Sequence, residues 1–339
     1  MGGDRAPDMV IEGAALALAK NSNLRFKLYG DQAKISPLLE KYSALIKASE
    51  IIHTPDFIAN EEKPSIALRH SKNSSMRLAV DAVRDGHASG VVSAGNTGAY
   101  MAIAKIFLKM IPGIDRPAII ASLPTLKNPC VMLDLGANVV CDHNHLVQFA
   151  IMGDVYAQEI LGVSNPSIGL LNVGEEEQKG NDAVQEAAKI LRCAPNTLNF
   201  YGFIEGDDIG KGTVDVVVTD GFTGNVALKA LEGMAFFIMT FMKEVFKTSW
   251  LARAGYLLSM FAMKKFKNKL NAKNYNGAML IGLGGVAIKS HGSADGIAFA
   301  NAIHVAARMV SHDLNKKIEK SLKQLYKNIK QNAPKVDVA

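Results

Sequence analysis

Cysteine is scarce: Cys130, Cys141 and Cys193 are the only three in 339 residues, and none stands in a CxxC spacing. Such a set builds neither a disulfide framework nor a metal knuckle and suits a reducing compartment, so a cytoplasmic protein is expected. The N-terminus, Met1-Gly2-Gly3-Asp4, lacks an apolar signal core. Lys229, Glu232, Lys243, Glu244 and Arg253 break the most apolar later stretches, so no membrane span is expected. The GxSxG elbow, the GxxxxGK(S/T) loop and the HExxH motif are absent, which removes three common catalytic readings. With 11 prolines, 29 glycines, 48% hydrophobic and 21% charged residues, the chain is neither disordered nor collagen-like. It is long enough to bury a large core.

Neither charge sign dominates: 38 basic side chains against 32 acidic ones leave +6. Residues 243–273 hold a local +7, from eight Lys and Arg against Glu244, and residues 316–335 hold +6. The rest of the sequence is therefore net −7. A mildly acidic body with two basic outcrops excludes a nucleic-acid face spread over the whole fold. It points to an anionic partner met locally.

Apolar β-rich runs alternate with helical patterns, the signature of a parallel sheet with crossover helices. Strands are expected over 24–29, 90–94, 118–123, 131–135, 167–173, 199–204, 214–219 and 278–283, and helices over 8–20, 74–84, 97–109, 143–161, 182–191, 225–247 and 294–324. The expected architecture is a doubly wound three-layer α/β/α domain over residues 1–325, followed by a basic disordered tail over 326–339.

Two strand-to-helix turns share a GxTG core: Ser93-Ala94-Gly95-Asn96-Thr97-Gly98 and Asp220-Gly221-Phe222-Thr223-Gly224-Asn225. The first N–H groups of a helix lack intrahelical partners, and glycine lets an anion approach them. Asn96, Thr97 and Ser93 add donors. The alternative is a tight turn with Thr97 as helix cap. A third cluster, Gly282-Leu283-Gly284-Gly285-Val286-Ala287, fits GxGxxA, but a dinucleotide fingerprint needs a helix inside the motif and an acid about 20 residues on. Residues 288–295 instead read as a polar loop offering Lys289, Ser290, His291 and Ser293, donors for a phosphate or an oxyanion, or else a solvated loop with Ser293 as cap. His143 and His145 diverge on a helix, so Asp142 is expected to cap it. Glu175–Glu177 reads as a solvated loop.

Residues 236–273 break the α/β rhythm. Phe237, Phe241 and Val245, then Leu251, Ala254, Leu258 and Phe261, recur at helical spacing, with Trp250 and Tyr256 nearby and Lys264 and Lys265 beyond. A basic amphipathic hairpin of this kind suits an anionic membrane surface. An apolar dimer contact with outward lysines is the equal alternative.

Several motifs together resemble the bacterial phosphate acyltransferases of the PlsX type: Ser93 to Gly98, Pro112-Gly113-Ile114-Asp115-Arg116-Pro117, Leu170-Leu171-Asn172-Val173-Gly174-Glu175-Glu176, Asp220 to Lys229, and Ile288 to Asp295. The resemblance runs from Met1 to about Met309. The motifs offer amide cradles and no ligand set, so no metal or cofactor is expected, and the resemblance implies conversion of acyl carrier protein thioesters and inorganic phosphate into acyl phosphate for phospholipid synthesis. It further implies a homodimer with a fold related to phosphotransacetylases and isopropylmalate dehydrogenases, located in the cytoplasm and peripherally on the inner face of the cell membrane. The product would pass to a membrane glycerol-3-phosphate acyltransferase. Two departures stand out. The family's MGGD segment follows a short first strand, whereas this sequence starts at that segment, and Asn73 replaces a usually acidic residue.

Under this resemblance, phosphate held by Ser93, Gly95, Asn96, Thr97 and Gly98 attacks the thioester carbonyl directly. Lys289 and His291 stabilise the oxyanion or the leaving thiolate, and Asn225 orients phosphate or carbonyl. The membrane-binding residues would be Trp250, Leu251, Leu258, Phe261, Lys264 and Lys265. A phosphotransacetylase acting on short acyl-CoA, and a non-catalytic membrane-surface adaptor, are the competing readings.

Overall fold

The computed structural model describes residues 1–193, 197–270 and 277–332. Two strands near the N-terminus, β1 (Phe26–Gly30) and β2 (Ser49–His53), pair in parallel. The main sheet contains β3 (Gly90–Ser93), β4 (Ala118–Leu123), β5 (Cys130–Leu133), β6 (Ser167–Leu171), β7 (Asn199–Ile204), β8 (Val216–Val218), β9 (Ala278–Ile281) and β10 (Val286–Lys289). Their spatial order is β3-β10-β9-β4-β5-β8-β6-β7.

Helices cover both faces, which is why β5 and β8 are uninterrupted apolar runs with every residue buried. One face packs on the helices His143–Tyr156 and Leu314–Asn332, the other on Ser75–Arg84 and Thr97–Leu108. Helix His143–Tyr156 is buried from His145 to Tyr156 because it lies between the sheet and two outer helices, so an amphipathic stripe is not required of it. The expected three-layer α/β/α class is the observed one.

The sheet is mixed and not purely parallel. β10 runs parallel to β3 but antiparallel to β9, β9 is antiparallel to β4, β4 is antiparallel to β5, and β8, β6 and β7 follow β5 in parallel. Strands β3, β10 and β4 therefore run one way, and β9, β5, β8, β6 and β7 the other. The carboxyl ends of β3 and β10 lie at one edge, and those of β5 and β8 at the other.

Other boundaries moved for local reasons. Strands β2 and β10 are not among the expected strands: β2, Ser49-Glu50-Ile51-Ile52-His53, has only two apolar residues and none buried, and β10 directly follows the glycine cluster 282–285. The expected 294–324 helix is two, Gly296–Ser311 and Leu314–Asn332, broken where Asp313 adopts φ 52°. That second helix continues through the first part of the expected 326–339 tail, whose residues 333–339 lie outside the described residues.

The N-terminal helix Asp8–Lys20 packs on Gly296–Ser311, with Met9, Ile11, Ala14, Leu28, Leu45 and Phe299 in a shared core. Between β1 and β3 lies a cavity of about 800 Å³, lined by Phe26 to Tyr29 on one side and Gly90 to Ala94 on the other. Met1 and Gly2 stand at one end of it, the Met1 amino group 3.5 Å from the Tyr29 carbonyl.

Candidate active site

Strand β3 ends at Ser93, and the chain turns through Gly95 into the helix Thr97–Leu108. Gly95 is closely packed: a Cβ there would stand 2.8 Å from the Met76 methyl, the movable end of a flexible side chain, and 3.6 Å from the Gly2 backbone. Ser93 Oγ accepts from Gly95 N–H at 3.2 Å and shapes the turn. The cap is Asn96 and not Thr97: Asn96 Oδ1 accepts from Ala99 N–H at 3.0 Å. Its Nδ2 donates to the carbonyls of Ala59, Asn60 and Glu62 at 3.3, 2.8 and 2.8 Å. Asn96 therefore clips the 59–62 segment to the helix start and does not offer its amide to a ligand, which corrects the sequence-based role. Thr97 is exposed, and the N–H groups of Thr97 and Gly98 lack intrahelical acceptors.

The polar segment after β10 comes to the same edge. Lys289 is the last residue of β10, not part of a loop, and Ser290 N–H donates to the Ser93 carbonyl at 2.8 Å. Parallel pairing of β10 with β3 thus brings Lys289 opposite Ser93. Lys289 is only 8% exposed. Its ammonium donates to the Ala94 carbonyl at 3.3 Å and to the Ser290 carbonyl. Burial pushes its pKa down to about 8, and the negative charge of Asp4 opposes that shift. Asp4 is held there by its own N–H, which donates to the Gly292 carbonyl at 2.9 Å, and by Asn60 Nδ2 at 3.3 Å. Asp4, Asn60 and Glu62 are members of this cluster that sequence reading missed, because they reach it from loops far away in the chain.

His291 is exposed, and its Nδ1 accepts from Ser293 N–H at 3.2 Å with Ser293 Oγ at 2.8 Å. That pattern makes Nδ1 an acceptor and places the imidazole proton on Nε2. Ser293 does not cap the following helix; Asp295 does, accepting from Ala298 N–H at 3.0 Å.

Asn225 is not brought to this cluster. It follows β8, so strand polarity sets it at the opposite edge of the sheet from Ser93 and Lys289. The helix it was expected to open starts earlier, at Gly221, with Asp220 as cap. There the turn packs on the loop after β5, and a Cβ on Gly224 would meet the Asp134 carbonyl oxygen at 1.9 Å. Asp134 anchors that loop: it accepts from the N–H groups of Ile119, Gly136, Ala137 and Asn138 and from Asn138 Nδ2 at 2.7 to 3.1 Å. The two GxTG turns share a construction but face opposite ways.

Helix Gly221–Lys247 leaves the body after its first turns, and Trp250–Leu258 and Met260–Leu270 continue from it. Beyond Gly224 none of its residues is buried, and neither is any of Trp250 to Leu258. Leu258 is 89% exposed and Phe261 83%, with Trp250, Leu251 and Lys264 also exposed; the Lys265 side chain lies outside the described residues. By length and composition alone helix Gly221–Lys247 could cross a membrane, a property its scattered charges had masked in the sequence.

The three-layer fold is one that phosphotransacetylases share. A phosphotransacetylase from Streptococcus pyogenes matches with a TM-score of 0.62 at 17% identity, over 90% of this chain and 92% of that one. EutD phosphotransacetylase from Staphylococcus aureus matches with 0.59 at 17% identity, over 90% and 91%. Sequence comparisons are more specific. The family model described as "Fatty acid synthesis protein" matches residues 1–317. Phosphate acyltransferase of Rhodospirillum centenum is 54% identical over 96% of this chain and 92% of its own length, and that of Paramagnetospirillum magneticum is 53% identical over 96% and 93%. The molecule is an acyltransferase, and the chain belongs to the phosphate acyltransferase family.

Proposed function

We propose that the enzyme moves the acyl group of an acyl carrier protein thioester to inorganic phosphate, and that the acyl phosphate feeds phospholipid synthesis. The observation that carries this reading is the buried Lys289 cation beside the open N–H groups of Thr97 and Gly98, in a chain half identical to phosphate acyltransferases. Phosphate at the turn adds an oxygen to the thioester carbonyl. The carbonyl oxygen takes up negative charge, which Lys289 and the helix N-terminus stabilise. Collapse of the tetrahedral intermediate breaks the C–S bond, and the thiolate takes a proton from water, while His291 Nε2–H can donate a hydrogen bond to the departing sulfur. No acyl-enzyme forms. Asn225, at the other edge, has no part in these steps within one protomer.

The exposed apolar and basic helices from Phe236 to Leu270 support a peripheral seat on an anionic membrane from the cytoplasmic side, near the membrane glycerol-3-phosphate acyltransferase that would use the product. Homodimerisation through part of the same helices fits their exposure equally well. The test is thiol release from acyl carrier protein and from short acyl-CoA, with and without phosphate. Phosphate-dependent release from the carrier thioester is expected. Release confined to short acyl-CoA would instead make the protein a phosphotransacetylase, and vesicle binding with no release from either would make it an adaptor.

A further inference from the structure

A second hollow, of about 580 Å³, lies at the edge of the sheet opposite Lys289, between the end of helix Thr97–Leu108 and the loop after β5. Lys105, Arg116, Val139, Val140, Asp142 and His145 line it. Its floor is fixed, because Asn138 Nδ2 donates to the Pro117 carbonyl at 2.7 Å and to the buried Asp134 carboxylate at 2.9 Å. Arg116 uses one guanidinium N–H on the Val140 carbonyl at 3.3 Å, and neither Arg116 nor Lys105 has a carboxylate partner among the described residues. Asp142 is the one acidic side chain in the lining and is engaged as helix cap, accepting from His145 N–H at 2.9 Å. His145 Nδ1 accepts from Asp142 N–H at 3.2 Å, which leaves Nε2 as the N–H donor of that ring. Two cations, a ring N–H and the exposed apolar Val139 and Val140 make a surface for an anion that carries an aliphatic group.

Thr97, Met101 and Lys105 stand at i, i+4 and i+8 of one helix and so share one stripe. Thr97 and Lys105 are exposed and Met101 is half-buried. Eight residues of helix rise about 12 Å. A stripe of that length, open at both ends and apolar at its middle, joins the phosphate turn to the cationic hollow.

We infer that the hollow binds the phosphate group at the base of the donor's 4′-phosphopantetheine arm, with the arm lying along the Thr97–Met101–Lys105 stripe and the thioester at the turn. The inference rests on the reading of the protein as a thioester-consuming acyltransferase. It assigns Arg116, in the Pro112–Pro117 motif to which the chemical steps give no role, to donor recognition. Acyl carrier protein and coenzyme A both present this group, one as a phosphodiester to protein and the other as a pyrophosphate.

Titration calorimetry with 4′-phosphopantetheine and with pantetheine tests it directly. The phosphorylated form is expected to bind the native enzyme roughly ten- to a hundredfold more tightly, the range one or two charge-assisted contacts supply. Arg116→Ala and Lys105→Ala should each remove most of that ratio while leaving pantetheine binding as it was. Competition with holo-acyl carrier protein and with coenzyme A then identifies the source, since the natural donor displaces 4′-phosphopantetheine at the lower concentration. Equal binding of the two probes, or an undiminished ratio in both variants, overturns the inference. Displacement of 4′-phosphopantetheine by inorganic phosphate at the same concentration as by itself would also overturn it, as the hollow would then read charge alone. The enzymatic reading fails separately, by absence of phosphate-dependent thiol release from the native protein.

Discussion

Lys289→Met removes one charge from the cluster and keeps a flexible apolar side chain of similar length. Lowering an ammonium pKa from 10.5 to about 8 corresponds to roughly 3 kcal/mol of unfavourable burial of the charged form. The sign follows from proton counting. Between pH 8 and 10.5 the unfolded chain holds a proton on this lysine that the folded chain has released, so wild-type stability rises with pH through that window. The Met variant lacks this contribution. Denaturant unfolding of both proteins from pH 7 to pH 10.5 should therefore show the gap shifting by up to about 3 kcal/mol in favour of the wild type. Turnover should respond in the other direction. Loss of one preformed oxyanion donor lowers the rate ~100- to 1,000-fold, and the wild-type profile of kcat/KM should fall above about pH 8 as Lys289 loses its proton. Lys289→Arg, which stays charged, should carry that alkaline limb upward even where it lowers the rate. A Met variant with wild-type turnover, or with the same alkaline limb, would refute the assignment.

Asn96→Ala should lose the helix cap, worth ~1 kcal/mol, together with the clip on the 59–62 carbonyls, so thermal stability and turnover fall together. Asn96→Asp, which keeps the cap but loses the amide donors, should recover part of the stability and little of the turnover. His291→Ala sits in an exposed segment and should lower phosphate-dependent turnover with the melting temperature unchanged; full activity would remove it from the mechanism. Leu258→Glu should abolish sedimentation with anionic vesicles and leave turnover in solution intact, whereas a variant that still sediments, or that loses dimer and turnover together, assigns the helix to subunit contact.

Much of the layer structure was legible because stretches such as 118–123 and 278–283 are apolar runs between recognisable turns. What failed was polarity. The antiparallel β9 and β4 at the centre of the sheet have the same apolar composition as parallel strands, so the reversal that separates Asn225 from Lys289 leaves no trace in local sequence. Short β10 was hidden behind four preceding glycine and leucine positions that imitate a nucleotide loop. The Gly95–Gly98 turn and Lys289 stand out in the sequence, but the pairing of β10 with β3 that sets Lys289 opposite Ser93 does not, and the turn pattern suggests a ligand donor where the cap is Asn96. Its three carbonyl partners come from a segment more than thirty residues upstream, beyond any pattern in the turn. Asp4 was missed for the same reason: only the fold places it beside Gly292.

Inorganic phosphate, and not water or an enzyme side chain, is the proposed acceptor of the acyl group. Turnover of an acyl carrier protein thioester in ¹⁸O-labelled phosphate, with products read by mass spectrometry, tests it most directly. One labelled acyl phosphate is expected for each thiol released. Thiol release that yields unlabelled fatty acid, or a labelled product that forms only after an acylated protein intermediate, would contradict it.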